Sequence, residues 1–567
     1  MSSERKSYLI GKSIKSYLLA SILASFAITL GVVVDGIIVG NLIGDTALVA
    51  VNLCVPLIQF MTAITMLINV GGAIMVATSY GKMDVKSGNI FFTMAMIVTT
   101  ILGILLLILG IFLCDEIVMV LCKDPSLRPL VKEYAQVVLL SAPLYLLVPG
   151  FSMFIRTDSN PKLASTVLIA ANVCNLVMDL ILIKIFNLGV MGSALATSLG
   201  YVLGFFIALT HFKRKNCSLS FKLKFEIKKL GKIAITGLPV ALASCLMTVR
   251  FLFVNRIIMT SLGSQGMSIM AVCFNIMMLS SMFIGGTSQA LQPVGGVLFG
   301  GKDYEGLKIA VKTSFKVLVT CISFIFVILI VFPNKCAELF GVSGIENITV
   351  AIRIFALSIP IFAANYLMMV NYQIIRIKAL SIFISCGQAL MVVPVMFIFS
   401  KIDNHLVWYS FLIGELIVLL ITGVFAENYR KKDATLGFFF LLPKKLDNMH
   451  SFSISYEDMD IEKSKDEIYE FMNKYSVSKD IFQNSVKALK LYLSKLETQK
   501  TSKENKKYID VIIQVLEQKI MLVIKDDGPI FKQDQIEKFK NVDNNIYQSF
   551  DYSLIAGQNV ARVSVER

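Results

Sequence analysis

The sequence predicts an all-α polytopic membrane protein with twelve transmembrane helices in two pseudo-symmetric six-helix lobes, followed by a small C-terminal α/β domain. The first observation is composition: 56% of the residues are hydrophobic, 16% are charged, and the mean hydropathy is +0.72, outside the range of soluble globular proteins. The second is a series of apolar stretches, each long enough to cross a ~30 Å hydrocarbon core, which takes ~20 helical residues. These stretches begin near residues 15, 47, 88, 132, 162, 189, 233, 266, 308, 350, 379 and 405.

An internal repeat divides the apolar region into two halves. Identical residues recur 219 positions apart in three pairs, and YGKMD in the first half is echoed by FGGKD in the second. The pairs are Gly44 with Gly263, Gly81 with Gly300, and Asp84 with Asp303. Because each repeat holds an even number of helices, the halves share one topology and are related by an axis along the membrane normal, with a site near the midplane between them. We assign residues 1–215 to the N-terminal lobe and 216–432 to the C-terminal lobe.

Basic residues predict the orientation in the membrane. Lys and Arg cluster before helix 1 and after helices 2, 4 and 6, with the largest group between Lys213 and Lys232. Positive-inside counting places both termini in the cytoplasm of a multi-pass plasma-membrane protein, and the first helix is retained because no cleavage site follows it. These loops explain the net charge of +15, so the lipid bilayer is the expected partner and nucleic acid is not.

Two carboxylates of the N-terminal half lie inside apolar segments, where an ionisable group is costly and is by default a functional candidate. They are Asp35, in VVVDGIIVGNLIG, and Asp179, in NVCNLVMDLILI. Asn175 and Asp179 stand at i and i+4 on one helix face, and Thr197 on the next helix could add a neutral oxygen. A carboxyl group in a low dielectric either takes up a proton or pairs with a cation. The set fits a coupling site for H⁺ or Na⁺; the alternative is that either carboxylate only hydrogen-bonds a neighbouring helix.

The cysteine and histidine patterns do not suggest a structural metal or another cofactor. The ten Cys lie mostly inside apolar segments without CxxC or similar spacing, and the three His are far apart. We expect the cysteines to be ordinary core residues and no cofactor to be bound. Na⁺ at Asp35, Asn175 and Asp179 is the metal ion that the pattern allows.

Methionine and glutamine residues are candidates for a substrate cavity. The chain has 26 Met and 39 Phe, including the adjacent Met277 and Met278 in helix 8, and such side chains suit an adaptable apolar cavity. Gln289 and Gln292 stand on the same helix just before Pro293 and would add polar contacts. Ordinary helix packing is the alternative explanation for most of these residues.

Four motifs, in helices 1, 5, 6 and 8, resemble those of the bacterial branch of the MATE (multidrug and toxic compound extrusion) transporters. They are VDGIIVGNLIGDTALVAVNL, IRTDSNPKLAST, LGVMGSALATSLG and QALQPVGGVLFGGKD, and the resemblance covers roughly residues 10–430. It implies two six-helix lobes around a cavity that opens alternately to each side, and exchange of H⁺ or Na⁺ for small organic, often cationic, compounds. It also implies an N-lobe cation site at Asp35, Asn175, Asp179 and Thr197. We expect a monomer.

The chain departs from the family pattern in two places. The first helix reads LLASILASFAITLG, without the proline that many relatives have there, so we do not expect that helix to bend at a proline. Helix 11 has Gln388 where an Arg is common in the family. Glu415 in helix 12 keeps the family's Glu-Leu context, and we interpret it as an ion-pair partner of Arg250 or Arg256 rather than as a coupling residue.

The polar and charged composition after Lys432 predicts a cytosolic domain. We place a linker at 433–450 and a small α/β domain at 451–567. Strands are predicted in FSISY, YIDVIIQVLE, KIMLVIKD and VARVSVE, and two helices within 461–497.

Part of this domain resembles the GHKL-type ATPases, and the anti-sigma-factor kinases in particular. IKDDGPIF, with Asp526 and Gly528, is similar to their adenine-binding D-x-G box, and AGQNVARVSVE is similar to their last strand. The positions that match the catalytic Glu and the Mg²⁺-binding Asn hold Lys487 and Leu491, and 532–553 contains no glycine. We therefore interpret the domain as a degenerate regulatory module with a cytosolic protein partner. Asp526 and Gly528 could equally form only a turn between strands.

Secondary-active drug efflux is the leading hypothesis, and it makes the chain a transporter rather than an enzyme. An alternative within the same superfamily is a flippase for lipid-linked precursors, which long apolar grooves and more cavity Arg would favour. A membrane sensor kinase is a third hypothesis. It needs an intact ATP site and a phosphoacceptor His, and neither is evident in the sequence.

Overall fold

The computed structural model describes residues 5–222, 224, 226–339, 347–438, 440–456, 461–497, 508–531, 533–540 and 546–567. Within these residues the chain forms a helical bundle, a connecting segment and a tail domain that contains a β-sheet.

Helices build the bundle because its segments are long and apolar. Those of the N-terminal half are α1 (Tyr8–Leu42), α2 (Asp45–Leu53), α3 (Val55–Thr65), α4 (Gly71–Gly81), α5 (Val85–Phe112), α6 (Cys114–Leu121), α7 (Arg128–Leu140), α8 (Ala142–Thr157), α9 (Pro161–Asp179) and α10 (Gly189–Leu209). Those of the C-terminal half are α11 (Ile227–Gly300), α12 (Tyr304–Val331), α13 (Pro333–Leu339), α14 (Ile348–Ile374), α15 (Lys378–Leu390), α16 (Val392–Ile402) and α17 (Tyr409–Lys432).

Ten helical segments of the described chain are long and apolar enough to cross a membrane, and an eleventh is added if α7 and α8, bent by 51°, form one span. The longest, α11, has 74 residues, which as one straight helix would extend ~110 Å, far beyond a bilayer. Gly263 interrupts it with φ 60° and ψ −153°, so α11 consists of two helical segments joined at this glycine. The chain is therefore a helical multi-pass membrane protein, and most predicted helix starts lie within a few residues of the observed ones.

Backbone features recur at the spacing of the sequence repeat. Gly44 and Gly263 both have positive φ, 114° and 60°, which a residue with a side chain rarely adopts. Asp84 and Asp303 cap the helices that follow them, because each accepts a hydrogen bond at 2.9 Å from the backbone N–H three residues on. The repeat in the sequence thus corresponds to repeated local geometry in the two lobes.

The two lobes meet through glycines at one end of the bundle. A side-chain carbon at Gly81 of α4 would clash with the carbonyl group of Val297 in α11, and one at Gly300 would clash with that of Thr78. We call this contact between Thr78–Gly81 and Val297–Gly300 the seam. The tail domain lies at the same end, which we call the tail side of the bundle.

The tail domain is a five-stranded antiparallel sheet with helices on one face. Its strands follow the order β1-β2-β3-β5-β4, and its helices are α18 (Glu462–Asn473), α19 (Lys479–Glu497) and α20 (Gln533–Lys540). The strands are β1 (Met449–Ser455), β2 (Tyr508–Val515), β3 (Lys519–Asp526), β4 (Ser549–Ile555) and β5 (Gln558–Glu566). The predicted α/β architecture is confirmed. The predicted elements do not include α20 or the edge strand β4, although polar and apolar residues alternate along SFDYSL from Ser549 to Leu554.

Substituting Gly81 by alanine tests the seam. The added methyl group would overlap the Val297 carbonyl, so we expect Gly81→Ala to lower the Tm of the purified protein, at a cost of about 1–3 kcal/mol for overpacking. Gly231→Ala is the matched control, because nothing lies within 4 Å of a side-chain carbon at that position of α11. A thermal-shift assay in detergent compares the two variants, and equal Tm values would contradict the close approach.

Candidate functional site

Three helices of the N-terminal lobe bring the predicted ion-coupling residues together. The Asn175 amide of α9 donates to Asp179 Oδ2 one turn on, at 3.3 Å, and to Thr197 Oγ1 of α10, at 3.0 Å. The Ser193 hydroxyl, one turn before Thr197, donates to Asp35 Oδ1 of α1 at 3.4 Å. All four predicted residues therefore lie in one cluster. Ser193 is a fifth member, which its sequence context does not distinguish from other small residues in helices.

The two carboxyl groups of this cluster face each other. Asp35 and Asp179 lie within hydrogen-bonding reach of one another, and Asp179 is fully buried. Asp179 Oδ1 receives no hydrogen bond from any donor in the described part of the chain. Two ionised carboxylates at this separation repel each other in a low dielectric, so the arrangement requires a proton or a cation between them.

Tyrosine side chains surround the carboxyl pair. Tyr145 of α8 has its hydroxyl within hydrogen-bonding reach of Thr197, and its ring lies 4.6 Å from that of Tyr201. Tyr134 of α7 is buried close to both carboxyl groups. The rings form an apolar wall beside the pair, while the hydroxyls keep part of that wall polar. The tyrosines have no fixed sequence spacing from Asp35 or Asp179, so the sequence alone does not predict them.

Two π-helical turns lie beside functional candidates, one next to the carboxyl cluster and one at a cavity between the lobes. One, Leu180–Ile185, directly follows Asp179 at the end of α9. The other, Met66–Val70, joins α3 to α4, and Met66 lines the cavity between the lobes. Such turns insert a residue into the helical repeat and often occur at functional sites, because they change the direction of the side chains on either side.

A cavity of 430 Å³ opens between the lobes; the C-terminal lobe forms most of its lining, and Gln59 and Met66 of the N-terminal lobe complete it. The lining residues that distinguish it are Gln59, Met247, Phe274, Met277, Met278 and Gln388. Thioether and aromatic side chains adapt to apolar molecules of different shape, and the two glutamines offer hydrogen bonds. Met277 and Met278, two residues predicted for a substrate cavity, line this space, whereas Gln59 has no sequence signal beyond being a polar residue in an apolar helix.

The structure places Gln289 and Gln292 outside the lining of this cavity. On α11 they lie about one and two turns beyond Gly285, the last lining residue of that helix, toward the tail side. Gln289 Oε1 accepts a hydrogen bond from Arg156 of α8 at 2.9 Å, and its Nε2 lies 3.5 Å from Ser25 Oγ of α1. Gln292 is buried, whereas Gln289 is half-buried. Both side chains lie at the close contact of the lobes on the tail side, and periodicity along one helix does not show that contact.

The C-terminal lobe has a separate polar network around Glu415. This buried carboxylate accepts hydrogen bonds from Asn365 at 3.0 Å and from the Gln388 side chain at 3.1 Å. Arg250 Nη1 lies 3.9 Å from the other carboxylate oxygen and donates to the Gln388 carbonyl at 2.8 Å. Of the two predicted partners, Arg250 rather than Arg256 therefore forms the ion pair.

One group of described side chains has the composition of a metal site. Asp158, His211 and Cys217 place their ligand atoms within 4.8 Å of one another. Asn160 accepts the Leu163 N–H through Oδ1 and therefore donates through Nδ2 to His211 Nδ1, at 3.4 Å. The imidazole proton then lies on Nε2, which donates to Asp158 Oδ2 at 2.8 Å. Since both ring nitrogens are already used, we interpret the group as a hydrogen-bond network between helix ends.

Asp526 in the tail lies in a site filled by the protein's own side chains. Its carboxylate accepts hydrogen bonds from the Tyr492 hydroxyl at 2.7 Å, the Asn559 amide at 2.9 Å and the Gly528 N–H at 2.7 Å. Phe531 packs edge-on against Tyr492, with ring centroids 5.4 Å apart. Burial raises the pKa of Asp526, and the hydrogen bonds from Asn559 and Tyr492 offset part of that rise.

The repeated lobes, and the carboxyl pair in which Asp179 is fully buried and Asp35 half-buried, are typical of a membrane transporter rather than an enzyme. The sequence model of the MatE family matches residues 20–181 and again 239–398, which together make up more than half of the chain. The chain belongs to the MatE family.

Individual relatives agree with this assignment. Multidrug export protein MepA of Staphylococcus haemolyticus (strain JCSC1435) is 21% identical over 408 residues, 70% of this chain and 88% of the relative. The probable multidrug resistance protein YoeA of Bacillus subtilis (strain 168) is 21% identical over 452 residues, 75% of this chain and 96% of the relative. A solved structure described as the outward-facing conformation of a multidrug resistance MATE family transporter has a TM-score of 0.69 at 23% identity, covering 75% of this chain and 96% of that chain.

The filled site around Asp526 predicts that the tail does not bind ATP. In the full-length protein we expect no saturable heat of binding when ATP and Mg²⁺ are titrated by calorimetry, because Tyr492 and Asn559 already occupy the carboxylate that would bind adenine in a GHKL-type site. An unrelated nucleotide-binding protein titrated in the same detergent is the control. Saturable binding that Asp526→Asn abolishes would contradict this interpretation.

Proposed function

We propose that the chain is a secondary-active exporter that moves small organic, often cationic, compounds out of the cell in exchange for H⁺ or Na⁺. Relatives named as multidrug export and multidrug resistance proteins support this substrate class. The observation that carries the proposal is the contact between the half-buried Asp35 and the fully buried Asp179 in one lobe. Such a site changes its protonation or its bound cation when water reaches it from one side and then from the other.

We infer a twelve-span topology. Dividing α11 at Gly263 and joining α7 with α8 adds two spans to the ten helical candidates. The bounds 1–215 and 216–432 then give six spans to each lobe, with 433–450 as the linker and 451–567 as the tail. Positive-inside counting supports a cytoplasmic location for the tail side and for both termini in the plasma membrane.

The hydrogen-bond directions support a proton as the coupling ion. One proton between Asp35 and Asp179 removes their repulsion and matches the described contacts. Na⁺ would require oxygen ligands, but the Asn175 amide directs its N–H groups to Asp179 and Thr197. That amide would have to turn over to present its oxygen to the ion.

The interlobe cavity supports an apolar or charge-delocalised substrate. Its lining residues include no charged side chain among those described, and Glu415 is already paired with Arg250 behind Gln388. A compact ammonium group would lose its hydration there without a compensating carboxylate. Aromatic cations can instead stack on Phe274 and contact the thioethers of Met277 and Met278.

Neutralising either carboxyl group of the pair tests the coupling site. We expect Asp35→Asn and Asp179→Asn to reduce ion-driven efflux in proteoliposomes to background, because neither amide can release a proton at physiological pH. Glu415→Gln is the matched control, since it removes a buried carboxylate from the other lobe and should leave coupling measurable. Wild-type antiport by either aspartate variant would remove that residue from the mechanism.

The coupling ion is identified by flux under imposed gradients. We expect substrate movement in proteoliposomes to follow a pH gradient and to be unaffected by a Na⁺ gradient at constant pH. Asp35→Asn vesicles provide the baseline for leak. Movement that follows Na⁺ alone would exclude the proton and would require the amide of Asn175 in its other orientation.

For the tail, we propose a non-catalytic GHKL-like module that regulates transport and has a protein partner in the cytosol. The filled site around Asp526, and the exposed Lys487 where a catalytic carboxylate would stand, support loss of ATPase chemistry. We also propose that the transporter is a monomer.

A further inference from the structure

The tail sheet has a second buried face that the helices of the tail do not cover. In β3 the side chains alternate: Ile520, Leu522 and Ile524 belong to the core of the tail, and Val523 and Lys525 point to the bundle. The same alternation along β2, β3 and β5 creates one continuous surface against the bundle. The residues of this surface are Asp510, Ile512, Gln514, Met521, Val523, Lys525, Val560 and Arg562. We call it the bundle face of the sheet.

Four charged side chains connect this face to the C-terminal lobe and to the N-terminal segment. Arg5 donates to both carboxylate oxygens of Asp303, at 2.5 and 2.9 Å, and to Asp510 at 3.1 Å. Lys525 donates to Asp303 Oδ2 at 2.5 Å. All four side chains are at most 9% exposed. Removing one partner would leave a desolvated charge behind, so the cluster is satisfied only while the three segments stay together.

The directions in which the pKa values of Asp303 and Asp510 are shifted agree with these contacts. Burial by itself raises the pKa of a carboxyl group, but the charges of Arg5 and Lys525 outweigh it at Asp303 and hold the pKa of that group well below its usual range. Asp510 receives only one N–H of Arg5, and burial leaves its pKa raised. Asp303 is therefore ionised at neutral pH, and it also caps α12 through the Gly306 N–H.

The same sheet face contacts the N-terminal lobe. Arg562 of β5 donates to the carbonyl groups of Gly81 and Lys82, at 3.4 and 2.8 Å. Next to it, the Ser13 hydroxyl of α1 donates to the Ala556 carbonyl at 2.5 Å, in the turn between β4 and β5. The tail therefore holds the N-terminal lobe at the end of α4 and the C-terminal lobe at the start of α12.

These attachment points lie on both sides of the seam. Gly81 is itself a seam residue, and Asp303 follows the seam residue Gly300 by three positions. Opening the bundle on the tail side would move α4 away from the second segment of α11. It would then pull Arg562 from the Gly81 and Lys82 carbonyls, or Lys525 from Asp303, because a hydrogen-bonded sheet does not stretch between them.

We propose that the bundle face of the tail sheet is a clamp on the transporter, which binds both lobes across the seam only while the tail side is closed and must detach before that side opens. The proposal rests on the alternating access proposed above. It assigns the tail an intramolecular partner, the tail-side ends of α4 and α12. The anchored linker supports it: Leu441 is fully buried, and the Asn371 amide donates to the Phe440 carbonyl at 2.7 Å, so a detached tail stays close enough to bind again.

Charge-reversing substitutions in the tail test the clamp without changing the residues proposed for transport. Lys525→Glu places a carboxylate against Asp303, and Arg562→Glu places one against two carbonyl groups, whereas both new side chains are solvated when the tail is detached. Lys519→Glu is the matched control, because it lies on the same strand and the same side of β3 but at the far, half-exposed end. Hydrogen exchange within β2 and β3 verifies that each tail remains folded.

Hydrogen–deuterium exchange of the full-length protein measures binding of the clamp. In Lys525→Glu and Arg562→Glu we expect peptides covering 78–84 and 298–304 to exchange at least about tenfold faster than in wild type and in Lys519→Glu. Initial efflux in proteoliposomes is expected to rise by about threefold in the same two variants, because the closed state loses its extra stabilisation.

Two results would overturn the clamp. Wild-type exchange at both peptides in the two charge-reversal variants would show that the tail does not hold the seam, and faster exchange with unchanged efflux would show that it binds without restraining the transporter. The exchange experiment needs no gradient or substrate. Failure of the antiport proposal would therefore appear as absent flux in every protein, wild type included, and would leave the exchange result standing.

Discussion

The structure depends on the close approach of α4 to α11, which includes the contact with the second segment of α11 at the seam. In a bilayer the lipid is as apolar as the helices, so helices associate through dispersion contacts, and these are strongest where small residues let backbones touch. Gly81 and Gly300 allow this reciprocally, each against a carbonyl group of the other lobe. The seam closes the bundle on the tail side, and the cavity of 430 Å³ remains between the lobes further along α11.

The two lobes share a scaffold but differ in chemistry. The repeat places Val254 and Ile398 opposite Asp35 and Asp179, so the C-terminal lobe has no equivalent of the carboxyl pair among its described residues. Its own buried carboxylate, Glu415, is held by Asn365, Gln388 and Arg250. Arg250 supplies a positive charge 3.9 Å from Glu415 Oε1, an oxygen that accepts no hydrogen bond from the described residues, whereas no Lys or Arg forms an ion pair with Asp35 or Asp179 in the described part of the chain. The separation supports ion coupling in one lobe and a substrate cavity shared by both.

Both faces of the tail sheet are packed against other elements, which explains the burial pattern of β2. β2 reads YIDVIIQV and is buried along nearly its whole length, because one face meets the tail helices and the other meets the bundle. An exposed sheet would show a simple alternation of apolar and polar residues. Lys525 and Asp510 are charged yet almost fully buried, which is understandable only with Arg5 and Asp303 beside them. The second face of the tail sheet is thus packed against the bundle and not exposed to solvent.

The sequence by itself determined the features that depend on local pattern: the membrane-spanning segments, the repeat, the strands β1, β2, β3 and β5, and the one-turn spacing of Asn175 and Asp179. Hydropathy, periodicity and helix geometry require no knowledge of distant residues. Only the tertiary structure showed that Ser193 and Tyr145 adjoin the cluster of Asp35, Asn175, Asp179 and Thr197, that Gln289 belongs to the contact between lobes, and that Arg5 joins Asp303 to Asp510. Those contacts join residues far apart in the chain, and no local pattern encodes which helix faces or sheet faces will meet.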